Sequence, residues 1–257
     1  MSRIRLATAV AATCATAALI PSVAGAATFS NTGPITINDA VQDCNVAGQG
    51  LATPYPSQIQ VSDQTGSITG ANVTITGFSH SYPADVRVLL VGPHGQTTDL
   101  MDEDGGGTDA SDVTLTFDDA AADPVPTPLV SGTYRPTQDS NGCTLGPSDN
   151  YPEPAPAGPY STDLSGFVGT DPNGTWSLYI VDNALNDTGA ISGGWSIDLA
   201  GVTPVQKPSG KDPKCAKLHK KLKRQKQKLA NAGTAAKQSM IRANIADTKK
   251  RLKRLGC

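Results

Sequence analysis

Along most of this chain the apolar residues recur every second position, and only near the C-terminus do they recur every third and fourth. In residues 191–199, Trp195, Ile197 and Leu199 alternate with Ser196 and Asp198, the period of a half-buried strand. Residues 175–181, Thr-Trp-Ser-Leu-Tyr-Ile-Val, form a β-branched and aromatic run behind the turn Asp171-Pro172-Asn173-Gly174. A second turn, Asn186-Asp187-Thr188-Gly189, lies between the two runs, which therefore read as a hairpin with one tryptophan per strand. Short β-prone pieces precede it at residues 35–37, 57–61, 67–76, 97–101 and 113–117. Residues 86–91 are nearly continuous apolar sequence, which suits a central strand covered on both sides. Many short strands separated by turns predict an antiparallel β-sandwich over residues 27–202. Residues 120–160 break the pattern, because Pro152, Pro154, Pro156 and Pro159 cannot donate to a ladder; a surface loop is expected there.

The C-terminal period is helical. Asp212-Pro213 supplies a helix start, Cys215, Leu218, Leu222, Gln225 and Leu229 follow at spacings of three and four, and Asn231-Ala232-Gly233 stops the run. A second run begins near Thr234 and carries Ile241, Ile245, Thr248, Leu252 and Leu255. Residues 212–257 thus predict two helices of about 18 and 21 residues packed as an antiparallel hairpin. Residues 203–211, with two prolines, a serine and a glycine, read as a linker.

The N-terminus adds a compartment. Arg3 and Arg5 precede an uncharged Ala-rich stretch over residues 6–20, and an Ala-x-Ala pattern ends at Ala26. Residues 1–26 therefore read as a secretory signal peptide, which predicts a secreted, extracellular protein. About 15 apolar residues fall short of a bilayer span, and no later segment is long or apolar enough for one. Cys14 leaves with the signal. Cys44, Cys143, Cys215 and Cys257 remain in an oxidising compartment and permit three pairings. Cys44 with Cys143 and Cys215 with Cys257 is favoured, because each pair then lies within one block of composition. Zinc is disfavoured, since the sequence has no CxxC spacing.

Charge divides the chain at the same boundary. Between residues 27 and 206, Arg87 and Arg135 stand against 21 acids, a net charge of −19. Residues 207–257 hold 17 Lys and Arg against Asp212 and Asp247, a net charge of +15. An anionic partner is expected for Lys217, Lys220, Lys221, Arg224, Lys228, Lys249, Lys250, Arg251 and Arg254. A cell-envelope polymer, an anionic lipid and the chain's own acidic domain all qualify. Nucleic acid is disfavoured, because the tail has no aromatic residue to stack on a base.

The wording of residues 173–199, NGTWSLYIVDNALNDTGAISGGWSIDL, resembles the closing hairpin of the P domain (P/Homo B domain) of kexin- and furin-type proprotein convertases, of which secreted bacterial versions exist. Residues 82–95, YPADVRVLLVGPHG, resemble a second segment of that family, with Ala84 where the family usually has Gly. The resemblance covers roughly residues 28–202. It implies an all-β jelly-roll sandwich, galactose-binding-like in architecture, and an accessory domain separated here from any subtilisin-like catalytic domain. It also implies calcium, since some bacterial P domains bind it, and Asp85 and Asp182 match positions in the family's motifs.

The residues support calcium independently. Asp99, Asp102, Glu103, Asp104, Asp109 and Asp112 crowd a loop made pliable by Gly105-Gly106-Gly107, and a second acidic turn contains Asp182, Asn183 and Asp187. These carboxylates read otherwise as solvated loop charges that keep an exported protein soluble. Past the signal only His80, His94 and His219 are available as bases, and there is no GxSxG elbow. The expectation is a secreted, non-catalytic binding or adhesion module, held at the cell envelope by its basic tail. The alternative is an accessory domain serving a subtilisin-like serine endopeptidase in trans.

Overall fold

Strand alternation builds two sheets that close on one core in the computed structural model, which describes residues 25–43, 46–137, 150–205 and 213–257. The signal-peptide reading, Cys44, Cys143 and the proposed bond between them lie outside the described residues. In chain order the strands are β1 (Ala27–Asn31), β2 (Ile35–Ile37), β3 (Gly50–Leu51), β4 (Ser57–Val61), β5 (Gln64–Thr65), β6 (Gly70–His80), β7 (Val86–Val91), β8 (Thr97–Asp102), β9 (Ala110–Phe117), β10 (Gly132–Tyr134), β11 (Gly174–Asp182), β12 (Gly189–Ile191), β13 (Trp195–Ala200) and β14 (Thr203–Pro204). One sheet runs β1-β13-β6-β12-β2, with β9 on the other edge of β6 and β10 beyond it; the second runs β3-β11-β7-β8, with β4 also on β11. Neither sheet closes on itself. Pairing is antiparallel except for β10 on β9.

The two inward faces share a single core. Val73, Ile75, Trp195, Ile197 and Leu199 come from the first sheet, and Val88, Leu90, Trp176, Leu178 and Ile180 come from the second. Both tryptophans are fully buried and find acceptors, Trp176 at the Pro172 carbonyl (3.1 Å) and Trp195 at Ser57 Oγ across the sheets (3.0 Å).

The two tryptophan strands do not form a hairpin. β11 pairs with β3, β4 and β7, whereas β13 pairs with β1 and β6 in the opposite sheet. Alternation puts each tryptophan inward, and two inward faces meet as well across a sandwich as along a ladder. Residues 191–199 are also interrupted. Gly194 ends the break between β12 and β13 at φ 71°, where an added Cβ would sit 2.0 Å from the Asn31 carbonyl oxygen. The partner strand β6 shifts register opposite that break, between Ile75 and Phe78.

The proline-rich insert is more than a surface loop. Val125, Leu129 and Tyr134 reach the main core, and β10 extends the first sheet. Tyr151 and Ala155 cover the outer face of the second sheet, packing with Leu89, Tyr179 and Val181 in a separate small core. That cover explains the continuous apolar run of β7, which is buried on both faces as expected.

The C-terminal unit consists of α1 (Pro213–Ala230) and α2 (Ala235–Arg254), joined at its open end by the Cys215–Cys257 disulfide. The favoured pairing of these two cysteines is thus present. Asp212, the expected cap of α1, lies outside the described residues. The sandwich continues slightly beyond residue 202, because β14 pairs with β5. No helix among the described residues is long and apolar enough to cross a membrane.

Candidate functional site

Two charged regions stand out, an acidic end of the sandwich and the face of the basic hairpin. The acidic end forms where β6 and β11 finish beside the 3-10 turn Pro83–Asp85. His80 is buried there; its Nδ1 lies 2.9 Å from the Tyr82 carbonyl and its Nε2 lies 3.1 Å from Asp182 Oδ2. Asp182 is also fully buried, and its Oδ1 accepts from the Ala184 amide at 2.9 Å. Burial pushes the Asp182 carboxyl upward, and the His80 contact opposes that shift. Beside it, Asn183 donates to Glu103 Oε1 and accepts from Gln49 Nε2, each at 2.6 Å. Ser81 Oγ donates to Asp187 Oδ1 at 2.7 Å, so it is not turned toward His80. A cleft of about 400 Å³ opens over His80, Ser81, Asp109 and Thr188.

Asp85 feels this crowding. Burial, then the neighbouring Asp182 and Asp187 carboxylates, push its carboxyl up to about 7; His80 opposes the shift and Glu103 adds to it. A folded-state value above the unfolded one means that the native state holds the proton more tightly. The stability from this group is therefore full below about pH 4 and is lost as pH rises through 7. Because Asp85 is only partly buried, solvent screening reduces the effect to roughly 2 kcal/mol. Asp85→Asn should make the chain more stable than wild type at pH 8 and flatten its urea midpoint between pH 5 and 8. Parallel pH profiles for the two proteins would exclude this account.

Of the predicted calcium carboxylates, the structure groups Asp85, Asp182 and Asp187 and places Asp109 on the cleft. Asp102 instead faces Arg87, with Nε 2.5 Å from Oδ1. Asp104 accepts from the Asp102 amide (3.2 Å) and Thr137 Oγ1 (2.5 Å). Among the described residues no three His, Cys, Asp or Glu side chains are arranged to hold a metal ion. Sequence reasoning had Glu103 in the first acidic loop and Asn183 in the second turn without joining the two, and it left His80 and Gln49 out of this group. His80 next to a Ser-Tyr-Pro turn was the only legible hint; Gln49 arrives from a different part of the chain.

The hairpin is a different electrostatic object. Lys217, Lys220, Lys221, Arg224, Lys228, Lys249, Lys250, Arg251 and Arg254 are all exposed, and among the described residues none of the nine makes an ion pair. Asp247 is the single acid of the two helices. The seam between them is thin: Cys215, Thr248 and Leu252 are buried, whereas Leu218, Leu222, Leu229, Ile241 and Ile245 are only half-buried. Gln225 Nε2 crosses the seam to the Asn244 carbonyl at 3.2 Å.

No protein-family model matches the chain, and no curated protein matches it significantly. Among solved structures it is similar to the serine protease of Aeromonas sobria, at 15% identity and a TM-score of 0.30 over 68% of this chain and 26% of that one. The complex of the Aeromonas sobria serine protease with its chaperone gives 14% identity and a TM-score of 0.29 over 68% and 27%. The chain spans about a quarter of the length of these proteins.

Proposed function

We propose that this chain is an exported, non-catalytic binding module whose P-domain-like jelly roll is the displayed part and whose basic hairpin holds it to an anionic polymer of the cell envelope. The observation that carries the reading is the set of nine exposed cations on a disulfide-closed hairpin, none of which makes an ion pair among the described residues. Their mutual repulsion is relieved by an external anion. The His80 site supports a structural role, since one ring nitrogen contacts a carbonyl, the other a buried carboxylate, and Ser81 is bonded elsewhere.

Retention on isolated envelopes tests the reading, comparing the full chain with one that ends at Val205 and so keeps β14. The full chain should be retained at low salt and released between about 0.1 and 1 M, as the screening length falls from about 10 to 3 Å. The shortened chain should wash off throughout. Equal release of both at low salt would sink the anchor.

Calcium belongs to the same proposal as a stabiliser of the acidic end. Among the described residues no three side chains form a ready cage, so the ion would act by drawing Asp85 and Asp187 together and relieving the repulsion that they and Asp182 exert on one another. Millimolar calcium should then raise the melting temperature of wild type at pH 8 more than that of Asp85→Asn, and a melt unchanged between calcium and excess chelator would remove the ion from the account. The sequence resemblance to convertase P domains supports the second reading, an accessory to a subtilisin-like protease in trans. Co-purification of the native protein with a protease would favour it over the envelope anchor.

A further inference from the structure

The nine cations of the hairpin are not equivalent, because the two helices leave a cleft of about 940 Å³ on one side. Lys221, Arg224 and Lys228 edge it from α1, and Lys237 edges it from α2. Its floor holds Met240, which is 64% exposed, and the half-buried Ile241. Gln225 and Asn244 also line it. Residues 221, 224, 225 and 228 share one helical stripe, and 237, 240, 241 and 244 share the facing one, so the cleft runs along the axis of the hairpin. On α1 the cations rise about 4.5 and then 6 Å along that axis. The groove is therefore built for something linear with regularly repeated negative charge.

Two details narrow the ligand. Lys and Arg only donate, which serves an anion and leaves no acceptor for a hydroxyl. Gln225 supplies one: its Nε2 is spent on Asn244, while its Oε1 lies just beneath the surface with no hydrogen-bond partner, and a hydroxyl reaches it by displacing the flexible side chains at the cleft edge. An acceptor held in a cationic cleft suits a ligand that carries hydroxyls between its charges, and the Met240 and Ile241 floor suits the carbon stems that bear them. A lipid surface fits less well, since Met240 is the one large apolar side chain of the hairpin that stands out and there is no aromatic residue to seat at a headgroup boundary. A second hairpin of the same charge would be repelled.

We infer that the cleft between α1 and α2 binds a linear polyol-phosphate polymer. Lys221, Arg224, Lys228 and Lys237 take its phosphodiesters, and Gln225 Oε1 accepts from a polyol hydroxyl. The inference rests on the envelope-anchor reading and assigns its ligand. It differs from that reading in making the cleft, rather than the whole basic surface, the binding site, and in bringing in Lys237.

The test uses the full disulfide-bonded chain and poly(glycerol phosphate) as probe, with inorganic polyphosphate, polyglutamate and a single-stranded DNA of equal charge as comparison ligands. R224Q/K228Q/K237Q removes cleft cations. K217Q/K220Q/K249Q removes the same charge from outside it. Helical signal is checked in both. The cleft variant should bind poly(glycerol phosphate) at least about 30-fold more weakly than wild type, and the outer variant within about fivefold. A Gln225→Met variant should lose the preference for poly(glycerol phosphate) over polyphosphate while keeping its affinity for polyphosphate. Equal weakening by both triple variants would overturn the cleft and leave the anchor standing. Tighter binding of polyglutamate or DNA than of the polyol phosphate would overturn the ligand. If neither triple variant changed binding and the chain ending at Val205 bound equally well, cleft and anchor would fall together.

Discussion

Replacing Cys215 and Cys257 together by Ser should remove most of the helical circular-dichroism signal of the full chain at about 37 °C, with the sandwich left folded. The hairpin cannot hold itself by burial. Two helices of 18 and 20 residues bury only Cys215, Thr248 and Leu252, the turn between them adds Ala232, and the remaining seam residues stay half in water. Repulsion works against that thin seam. Lys217 and Lys221, Lys220 and Arg224, Arg224 and Lys228, and Lys250 and Arg254 are like charges one turn apart, each pair costing a few tenths of a kcal/mol. A bond across a separation of 42 residues restricts the unfolded tail enough to contribute about 4 kcal/mol, the scale on which so small a unit depends. The near-ultraviolet signal should not move, because Trp176 and Trp195 both lie in the sandwich core. Salt should partly restore the helices by screening the lysines. A double-Ser variant as helical as wild type at low salt would show that the seam suffices alone.

The same thin seam was legible in the sequence because helical spacing and cysteine position agree independently. Residues 215 to 229 and 241 to 255 fall on single stripes, and a hairpin that aligns them brings Cys215 to Cys257. β7 was legible too, since only a strand covered on both faces tolerates Val-Arg-Val-Leu-Leu-Val. The alternation in residues 191–199 and the run 175–181 marked two buried strands but could not assign them to sheets. Period two records which side chains point inward, and it is silent on whether the facing surface is a ladder neighbour or an opposing sheet. Proline content likewise hid the part played by Tyr134 and Tyr151, whose rings reach two different cores from a segment that cannot itself form a long strand. The acidic end was half legible. Asp182 and Asp187 were recognisable as an acidic turn and Asp85 only through the family resemblance, but Gln49 meets Asn183 only through folding, 134 residues apart.

Arg87→Ala should be the most damaging single change in the sandwich, lowering its unfolding free energy by about 4 kcal/mol. Arg87 is one of two cations in the acidic domain, yet it is 1% exposed. Its Nε binds Asp102, and its guanidinium lies 4.5 Å from the centre of the Tyr151 ring. Tyr151 in turn donates to Asp99 Oδ1 at 2.8 Å. Burial alone would lower the affinity of the guanidinium for its proton; Tyr151, Asp102 and Asp99 reverse that and hold it charged. Burial, and then Asp99, keep the Tyr151 phenol protonated and thus able to donate. The arginine therefore joins the outer face of β7 to the end of β8 and to the insert that covers both. Alanine would leave the Asp102 carboxylate buried without its cation and open a space beneath Tyr151. Most of the cost comes from the stranded charge rather than from the lost attraction, so the double variant Arg87→Met with Asp102→Leu should recover the greater part of it. Urea unfolding followed by tryptophan fluorescence compares wild type, Arg87→Ala and the double variant, and the singles Arg87→Met and Asp102→Leu complete the cycle. If the double variant were no more stable than Arg87→Ala, charge burial would not be the cause, and the packing of Arg87 beneath Tyr151 would have to carry the whole effect.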